Sequence, residues 1–384
     1  MGGYDVGVIG AGIHGASAAY HLASRGLRVV VFERNTPASG PTGRSSAICR
    51  AYYTNTFLAR CARDSIDMFA RFTELTGVDA ELRRTGLLFL HPPEDVERVR
   101  ESAGRLNELD IEVDVLEPDA IAERFSMFDL DGIAVAAWER NAGYADPSGA
   151  TRGLFDRAVE LGAEPRLGTT VASLELADGG GAVIVTADAE RTACSRVLVA
   201  AGPWTRPLIR TIGIDLPLTV ERHIVGVYRW GGARPAPAHG DLVGGYYFRP
   251  EGEDLFLVGP THPAPNVDPD DFAGQASDGE LEALAQPVIR RVPELERSSV
   301  HSGWASLYDV SPDWQPVIGE VAPGIFVDAG TSGHGFKLAP ALGGHVAALV
   351  AGEETDAGLA DLHPDRFDEQ RMLAAGYGDA RILG

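Results

Sequence analysis

The opening βαβ unit constrains this chain more than any later stretch. Residues 5–9 end in an apolar run, Val6-Gly7-Val8-Ile9, that reads as a buried strand. Gly10-Ala11-Gly12-Ile13-His14-Gly15 follows, then helix formers from Ala16 to Ser24, a stop at Gly26, and a second strand, Arg28-Val29-Val30-Val31-Phe32-Glu33. A GxGxxG motif alone is a weak signal. Inside a complete strand-turn-helix-strand unit it has a mechanism: the glycines let backbone approach a pyrophosphate, and the helix N-terminus meets its negative charge. An acid at the end of the second strand accepts hydrogen bonds from an adenosine ribose. Gly10, Gly12, Ile13, His14, Gly15, Glu33 and the adjoining Arg34 are thus expected at a dinucleotide.

Composition narrows the possibilities further. A chain of 384 residues with 45% hydrophobic content has room for two domains with packed cores. The net charge of −22 repels nucleic acid and anionic membrane, so neither is expected as a partner. No stretch approaches the ~18 apolar residues of a membrane span, and no basic region precedes the first apolar run as in a secretion signal. Cys49, Cys61 and Cys194 lack metal-ligand spacing and suit a reducing compartment, so a cytoplasmic location is expected. No His/Asp/Glu cluster has metal spacing, so no metal is expected, and no Ser-His-Asp set with a nucleophile elbow is present.

Further along, a Gly/Ser/Thr loop, Ser39 to Ser46, precedes helical periodicity from Phe57 to Thr76. Short strands such as Leu87–Leu90 and residues 132–138 flank a helix near Glu94 to Leu109. A helix over 148–161 leads into a hairpin of Val171–Leu176 and Ala182–Thr186 around the turn Asp178-Gly179-Gly180-Gly181. Arg196 to Gly202 reads as a strand returning to the parallel sheet. Residues 216–319 are mostly strands and Pro/Gly-rich loops, with surface connections at 231–237 and 262–279 and a helix at 280–292. Finally, strand Ile325–Gly330 passes through Thr331–Phe336 into a helix over 337–350, with Pro340 in its first turn. There is no internal repeat. The fold class is α/β with an α+β insertion. A discontinuous Rossmann-like cofactor domain (1–80, 147–215, 320–384) carries a mostly antiparallel β-sheet substrate domain (81–146, 216–319).

These segments together resemble the D-amino acid oxidase superfamily of FAD-dependent oxidoreductases, in its glycine oxidase and monomeric sarcosine oxidase branch. The likeness runs nearly end to end. It rests on the Gly10-Gly12-Gly15-Glu33 unit, Gly43-Arg44-Ser45-Ser46, Ala200-Ala201-Gly202-Pro203-Trp204, and Gly330-Thr331-Ser332-Gly333-His334-Gly335-Phe336-Lys337-Leu338-Ala339-Pro340. The resemblance implies FAD as cofactor. It adds Gly43, Arg44, Ser45, Ser46, Val171, Ala201, Gly202, Trp204, Gly330, Gly333, His334, Gly335, Phe336 and Lys337 to its contacts. A Gly-rich turn into a helix N-terminus also suits the negative charge that a reduced flavin gathers. Where monomeric sarcosine oxidases tether the flavin through a cysteine, this sequence reads Ser306, and no histidine stands near Gly43-Arg44. Non-covalent FAD is therefore expected.

Of the 33 basic residues only Lys337 is a lysine. On so arginine-rich a chain, a lone lysine marks a place where a compact ammonium matters. By resemblance it pairs with a substrate carboxylate. Arg50 is the second candidate, since an arginine fork grips a carboxylate bidentately; a structural salt bridge is its alternative. Arg249 is a third, with Tyr246 and Tyr247 on the same strand as cavity-lining residues and His334 beside the flavin turn. The sequence also departs from the family. The strand expected to carry an oxygen-assisting lysine reads Leu255-Phe256-Leu257-Val258-Gly259, and Tyr308 stands about where glycine oxidases use an arginine.

The implied activity is oxidation of the C–N bond of an amino acid or N-substituted glycine by hydride transfer to flavin N5. Imine hydrolysis then gives an amine and a keto acid or aldehyde, with O2 reduced to H2O2. One alternative is a dehydrogenase of a 2-hydroxy acid or amine that passes electrons to a carrier. Another is a flavin-binding subunit of a larger complex.

Overall fold

All four residues of Val29–Phe32 are buried, as are the last four of Tyr4–Ile9 and all five of Ile325–Ala329. Strands apolar on both faces belong in the middle of a parallel sheet covered on each side, and the computed structural model places them there. It describes residues 3–177, 179–231 and 236–373. Asp178 of the expected turn, 232–235 of one surface connection and 374–384 of the cofactor domain lie outside the described residues.

The first sheet has a parallel centre in the order Glu164–Arg166, Val29–Phe32, Tyr4–Ile9, Arg191–Val199, Ile325–Ala329. The hairpin of Val171–Leu176 and Ala182–Thr186 joins antiparallel to the first half of Arg191–Val199. That strand begins five residues before the expected Arg196, because its N-terminal half serves the hairpin and its C-terminal half the parallel core. Val317–Ala322 pairs antiparallel with Ile325–Ala329.

Helix Ile13–Ser24 packs on helix Gly335–Ala351 and on Pro147–Glu160. The first crossing is close: a Cβ on Gly343 would lie 2.2 Å from Ser17 Oγ. Ser17 Oγ donates to the Pro340 carbonyl at 3.1 Å, and His21 Nε2 lies 2.9 Å from the same oxygen. Helix Gly335–Ala351 starts two residues earlier than its periodicity suggests, so Pro340 sits beyond the first turn. Phe57 to Thr76 is likewise two helices, Thr56–Ala70 and Phe72–Thr76, because Arg71 leaves helical geometry at φ −110°, ψ 21°. The break lets Phe69 stack on Phe336 (5.1 Å) while Phe72 stays buried.

The second sheet has eight strands, in the order Ser299–Val310, Thr219–Arg229, Leu255–Pro260, Tyr246–Glu251, His239–Asp241, Leu87–His91, Val135–Glu139, Val113–Leu116. Every neighbouring pair is antiparallel except His239–Asp241 with Leu87–His91. A small three-stranded sheet of Ile48–Cys49, Gly143–Tyr144 and Arg83–Arg84 adjoins them. The fold is the expected α/β type: a Rossmann-like sheet with helices, and a mostly antiparallel sheet built from interleaved parts of the chain.

Candidate active site

The first turn shows why glycine is needed there. Gly10 has φ +105°, a region costly for any other residue, and a Cβ on it would lie 2.4 Å from Ala200 O. A Cβ on Gly15 would come within 1.9 Å of Gly10 O, so this glycine sets how closely helix and strand pack. Glu33 accepts from Ala11 N–H and Asn35 N–H, both at 2.9 Å. The acid thereby braces the turn while its oxygens stay at the edge of the cavity that begins here.

That cavity has a volume of about 270 Å³ and runs from Glu33, Arg34, Val171 and Trp204 to Tyr308, Gly333 and Phe336. Its wall includes Gly10, Gly12, Ile13 and His14 from the first turn, and Arg44, Ser45 and Ser46 from the Gly/Ser loop. Ala201, Gly202 and Gly335 line it as well. Lys337 lines a neighbouring smaller chamber instead. Gly15, Gly43, Gly330 and His334 do not line the large cavity either. They shape the backbone behind the wall, as Gly330 does with φ +62°. At the outer end Arg34 stacks over Trp204 at 3.6 Å, and Trp204 Nε1 donates to Asp270 at 2.8 Å.

A smaller chamber of about 60 Å³ shares Ser45, Ser46, Tyr247, Tyr308, Gly333 and Phe336 with the large cavity. A water-sized group takes roughly 10–15 Å³ on this measure, so the chamber suits a molecule of a few heavy atoms. Its walls are largely apolar, with Leu87, Phe89 and Leu242, and its two cations are Arg50 and Lys337. Both are buried, at 3% and 6% exposure. Burial, then repulsion from Arg50, holds the Lys337 ammonium well below its ordinary pKa. Lys337 Nζ reaches Gly333 O at 3.5 Å, and among the described residues no carboxylate lies within ion-pair distance of it.

Arg50 lies over the Tyr53 ring at 4.4 Å and donates to Tyr52 O. Behind it, Glu139 accepts from Ala51 N–H at 2.7 Å and Tyr52 N–H at 2.9 Å. Burial raises the Glu139 carboxyl to about 7, against the pull of those donors and of Arg50. Tyr247, with Ser46 and Tyr308, stands between the two spaces and lines both.

Three residues expected here lie elsewhere. Tyr246 points to the opposite face from Tyr247, as strand alternation requires. Its hydroxyl lies 3.1 Å from His239 Nε2 within the second sheet's core. Arg249 is a tie to the flavin-loop backbone, donating through Nε to Ser46 O at 2.6 Å and stacking over Tyr144 at 4.2 Å. His334 is buried at the start of its helix, its Nδ1 3.1 Å from Tyr53 Oη. Conversely, Thr42, Asp309 and Asp328 line the large cavity without having been assigned to it, and Ser306 lines it as the resemblance implied, with His223 beside it. Ser306 and Tyr308 share one face of a strand whose role only the resemblance had touched. Among the described residues, no group of three or more His, Cys, Asp or Glu could hold a metal ion, and no helix is long and apolar enough to cross a membrane.

An elongated cavity with a glycine turn, a braced acid and a second small chamber at its far end defines a dinucleotide-dependent oxidoreductase architecture. The chain belongs to the DAO family, FAD dependent oxidoreductase, whose model matches residues 5–349. It is 29% identical to 4-methylaminobutanoate oxidase (formaldehyde-forming) of Paenarthrobacter nicotinovorans, over 89% of this chain and 43% of that protein. It is also 29% identical to human peroxisomal sarcosine oxidase, over 88% of this chain and 90% of that protein. The chain therefore spans less than half the length of the first relative and nearly all of the second. In fold it is similar to L-proline dehydrogenase from P. horikoshii, with a TM-score of 0.85 and 24% identity over 96% and 98% of the two chains. The residues fit the family's FAD. The Gly10 cradle tolerates no side chain, Glu33 lines the cavity beside that turn, and the cavity continues to the helix N-terminus at Gly335.

Proposed function

We propose that this protein oxidises the C–N bond of a small N-substituted glycine or related amino acid. The observation that carries this reading is the placement of Arg50 and Lys337 in a chamber that opens onto the cofactor cavity. A buried arginine and a buried lysine in an apolar space suit a carboxylate, whose charge favours the ammonium form of Lys337, and the rest of the molecule then extends toward the shared wall. FAD, when bound, supplies the two-electron acceptor. Arg50 and Lys337 hold the carboxylate, and Glu139 fixes the backbone that follows Arg50, at Ala51 and Tyr52. Tyr247, Tyr308 and Phe336 close the space against water, so orientation carries much of the rate. Among the described residues no ionised base stands in the chamber, in keeping with an amine that arrives uncharged. Hydrolysis of the resulting imine gives an amine and a keto acid or aldehyde. The substrate of the human relative, sarcosine, is of this size and class.

Over the described residues, the division of strands between the two sheets supports a cofactor domain of 1–80, 147–215 and 320–384 and a substrate domain of 81–146 and 216–319, with Val317–Ala322 of the first sheet starting three residues before the 320 boundary. Ser306 on the cavity wall, in the place of a tethering cysteine, supports releasable FAD. Three buried free cysteines accord with a cytoplasmic setting. The final electron acceptor is O2, yielding H2O2. A carrier is the second reading, favoured by the absence of any lysine besides Lys337. The test is an anaerobic panel of N-substituted glycines, D- and L-amino acids and 2-hydroxy acids, read by bleaching of the flavin band. Bleaching by hydroxy acids alone would overturn the proposal.

A further inference from the structure

The wall of the large cavity poses a charge problem. A dinucleotide brings a pyrophosphate dianion, yet this wall carries three carboxylates, Glu33, Asp309 and Asp328, against two arginines, Arg34 and Arg44. Two of the three acids are deep: Asp309 is 7% exposed and Asp328 2%. Asp309 has backbone and hydroxyl donors of its own, from Gly330 N at 2.7 Å and Thr331 Oγ1 at 3.0 Å. Asp328 has a different partner. Both its oxygens lie 2.8 Å from His14 Nδ1, and His14 Nε2 lies 3.1 Å from the carbonyl of Gly335.

Both ring nitrogens therefore face acceptors. An imidazolium donates to both; a neutral ring has to leave one acceptor facing a lone pair. The geometry also spans the fold, because His14 lies in the first turn of helix Ile13–Ser24, Asp328 near the end of strand Ile325–Ala329, and Gly335 opens helix Gly335–Ala351. The approach is close enough that a Cβ on Gly335 would lie 3.0 Å from His14 Nε2.

We propose that the His14–Asp328 pair is a cofactor-positioning device, in which the His14 charge offsets Asp328 beside the pyrophosphate and makes FAD affinity depend on pH. This rests on the reading of the large cavity as the FAD site, not on any assignment of substrate. The charged groups facing His14 from the packed elements are Asp328 and Asp309, with the Gly335 carbonyl. Burial disfavours its charged form, but the Asp328 charge and hydrogen bond, with help from Asp309, outweigh that and raise the pKa. As pH rises through that raised value the proton leaves and one uncompensated negative charge appears on the cavity wall. Loss of the His14 cation and exposure of the Asp328 anion act in the same direction on a bound dianion. FAD affinity therefore falls with rising pH, and the pair's own contribution to fold stability falls with it.

The test is FAD release from the holoprotein on dilution, followed by flavin fluorescence from pH 6 to 10, each value chosen on the order of the ordinary histidine range and above. Wild type is expected to lose affinity at least fivefold across this range. His14→Gln, with Asp328 uncompensated, binds FAD at least tenfold more weakly at the acid end and shows no such pH dependence. The double variant His14→Gln/Asp328→Asn recovers most of that loss, which a merely structural histidine would not allow. Should His14→Gln not fold, the wild-type profile and Asp328→Asn, with its flat profile, carry the test. A wild-type affinity independent of pH, or a double variant no better than the single one, overturns the inference. A protein that takes up no FAD at all overturns the cavity reading itself.

Discussion

Glu33 accepts a hydrogen bond from Ala11 N–H at 2.9 Å, so the end of the second strand holds the turn that follows the first. Its other oxygen is held by Asn35 N–H, also at 2.9 Å. A charge-assisted bond of this kind contributes about 1.5–3 kcal/mol. Glu33→Ala is therefore expected to weaken FAD binding by about tenfold to a hundredfold while the protein stays folded. Fluorescence titration of the apoprotein with FAD measures it; unchanged affinity would remove Glu33 from the site.

Lys337→Met removes one of two cations from the small chamber and keeps its volume. Loss of one partner of a desolvated charge contact costs about 2–5 kcal/mol. The variant should keep its flavin spectrum and lose more than tenfold in affinity for acetate, a carboxylate without an amine. Because the Lys337 pKa is held well below its ordinary value, wild-type acetate binding weakens as pH rises through it. A variant that binds acetate as tightly as wild type would refute the assignment.

Arg366 and Asp313 form a buried bidentate pair at 2.8 and 2.9 Å that ties the last described helical turn to the loop after Ser299–Val310. Arg366→Ala strands Asp313, at a cost of about 3–5 kcal/mol, which denaturant unfolding would register. Burial raises the Asp313 carboxyl, but the Arg366 bond and charge outweigh it and the pKa is lowered. The pair's contribution is thus present above the unfolded carboxyl pKa and lost as pH falls through the folded one. Arg366→Ala should remove this acid-side component. Equal loss of stability in both proteins below pH ~4 would show that the pair is not its source.

Ser306 on the cavity wall predicts a cofactor without a covalent bond. Acid precipitation of the holoprotein should leave the yellow colour in the supernatant. Colour in the pellet would contradict the prediction.

How much of this was legible in the sequence depended on what each residue type can signal. The βαβ unit was readable, because GxGxxG, apolar periodicity and Glu33 are all local, although its helix starts at Ile13, three residues before the expected Ala16, and its second strand is Val29–Phe32. Lys337 stood out through the composition of the whole chain. Tyr246 and Tyr247 could not be separated without the register of their strand, since a shift of one residue exchanges the two faces. Arg249 sits on the same face as Tyr247, but its guanidinium turns to Ser46 O, a contact across more than two hundred residues of chain (|i−j| = 203). Glu139 gave no local sign. Its role comes from meeting the Ala51 and Tyr52 N–H groups across 88 and 87 residues. The break at Arg71 and the early start of the last long helix are likewise set by packing of Phe69, Phe72 and Phe336 and not by propensity.

The most direct test of the account is anaerobic reduction of the purified holoprotein by N-methylglycine beside dimethylamine, which has the same C–N bond type and no carboxylate. The account predicts that N-methylglycine, or a close N-substituted homologue, bleaches the flavin band and dimethylamine does not. Arg50→Ala and Lys337→Met should each slow that bleaching at low substrate concentration. Equal bleaching by both compounds, or by neither homologue series, would contradict a carboxylate-anchored amine oxidase.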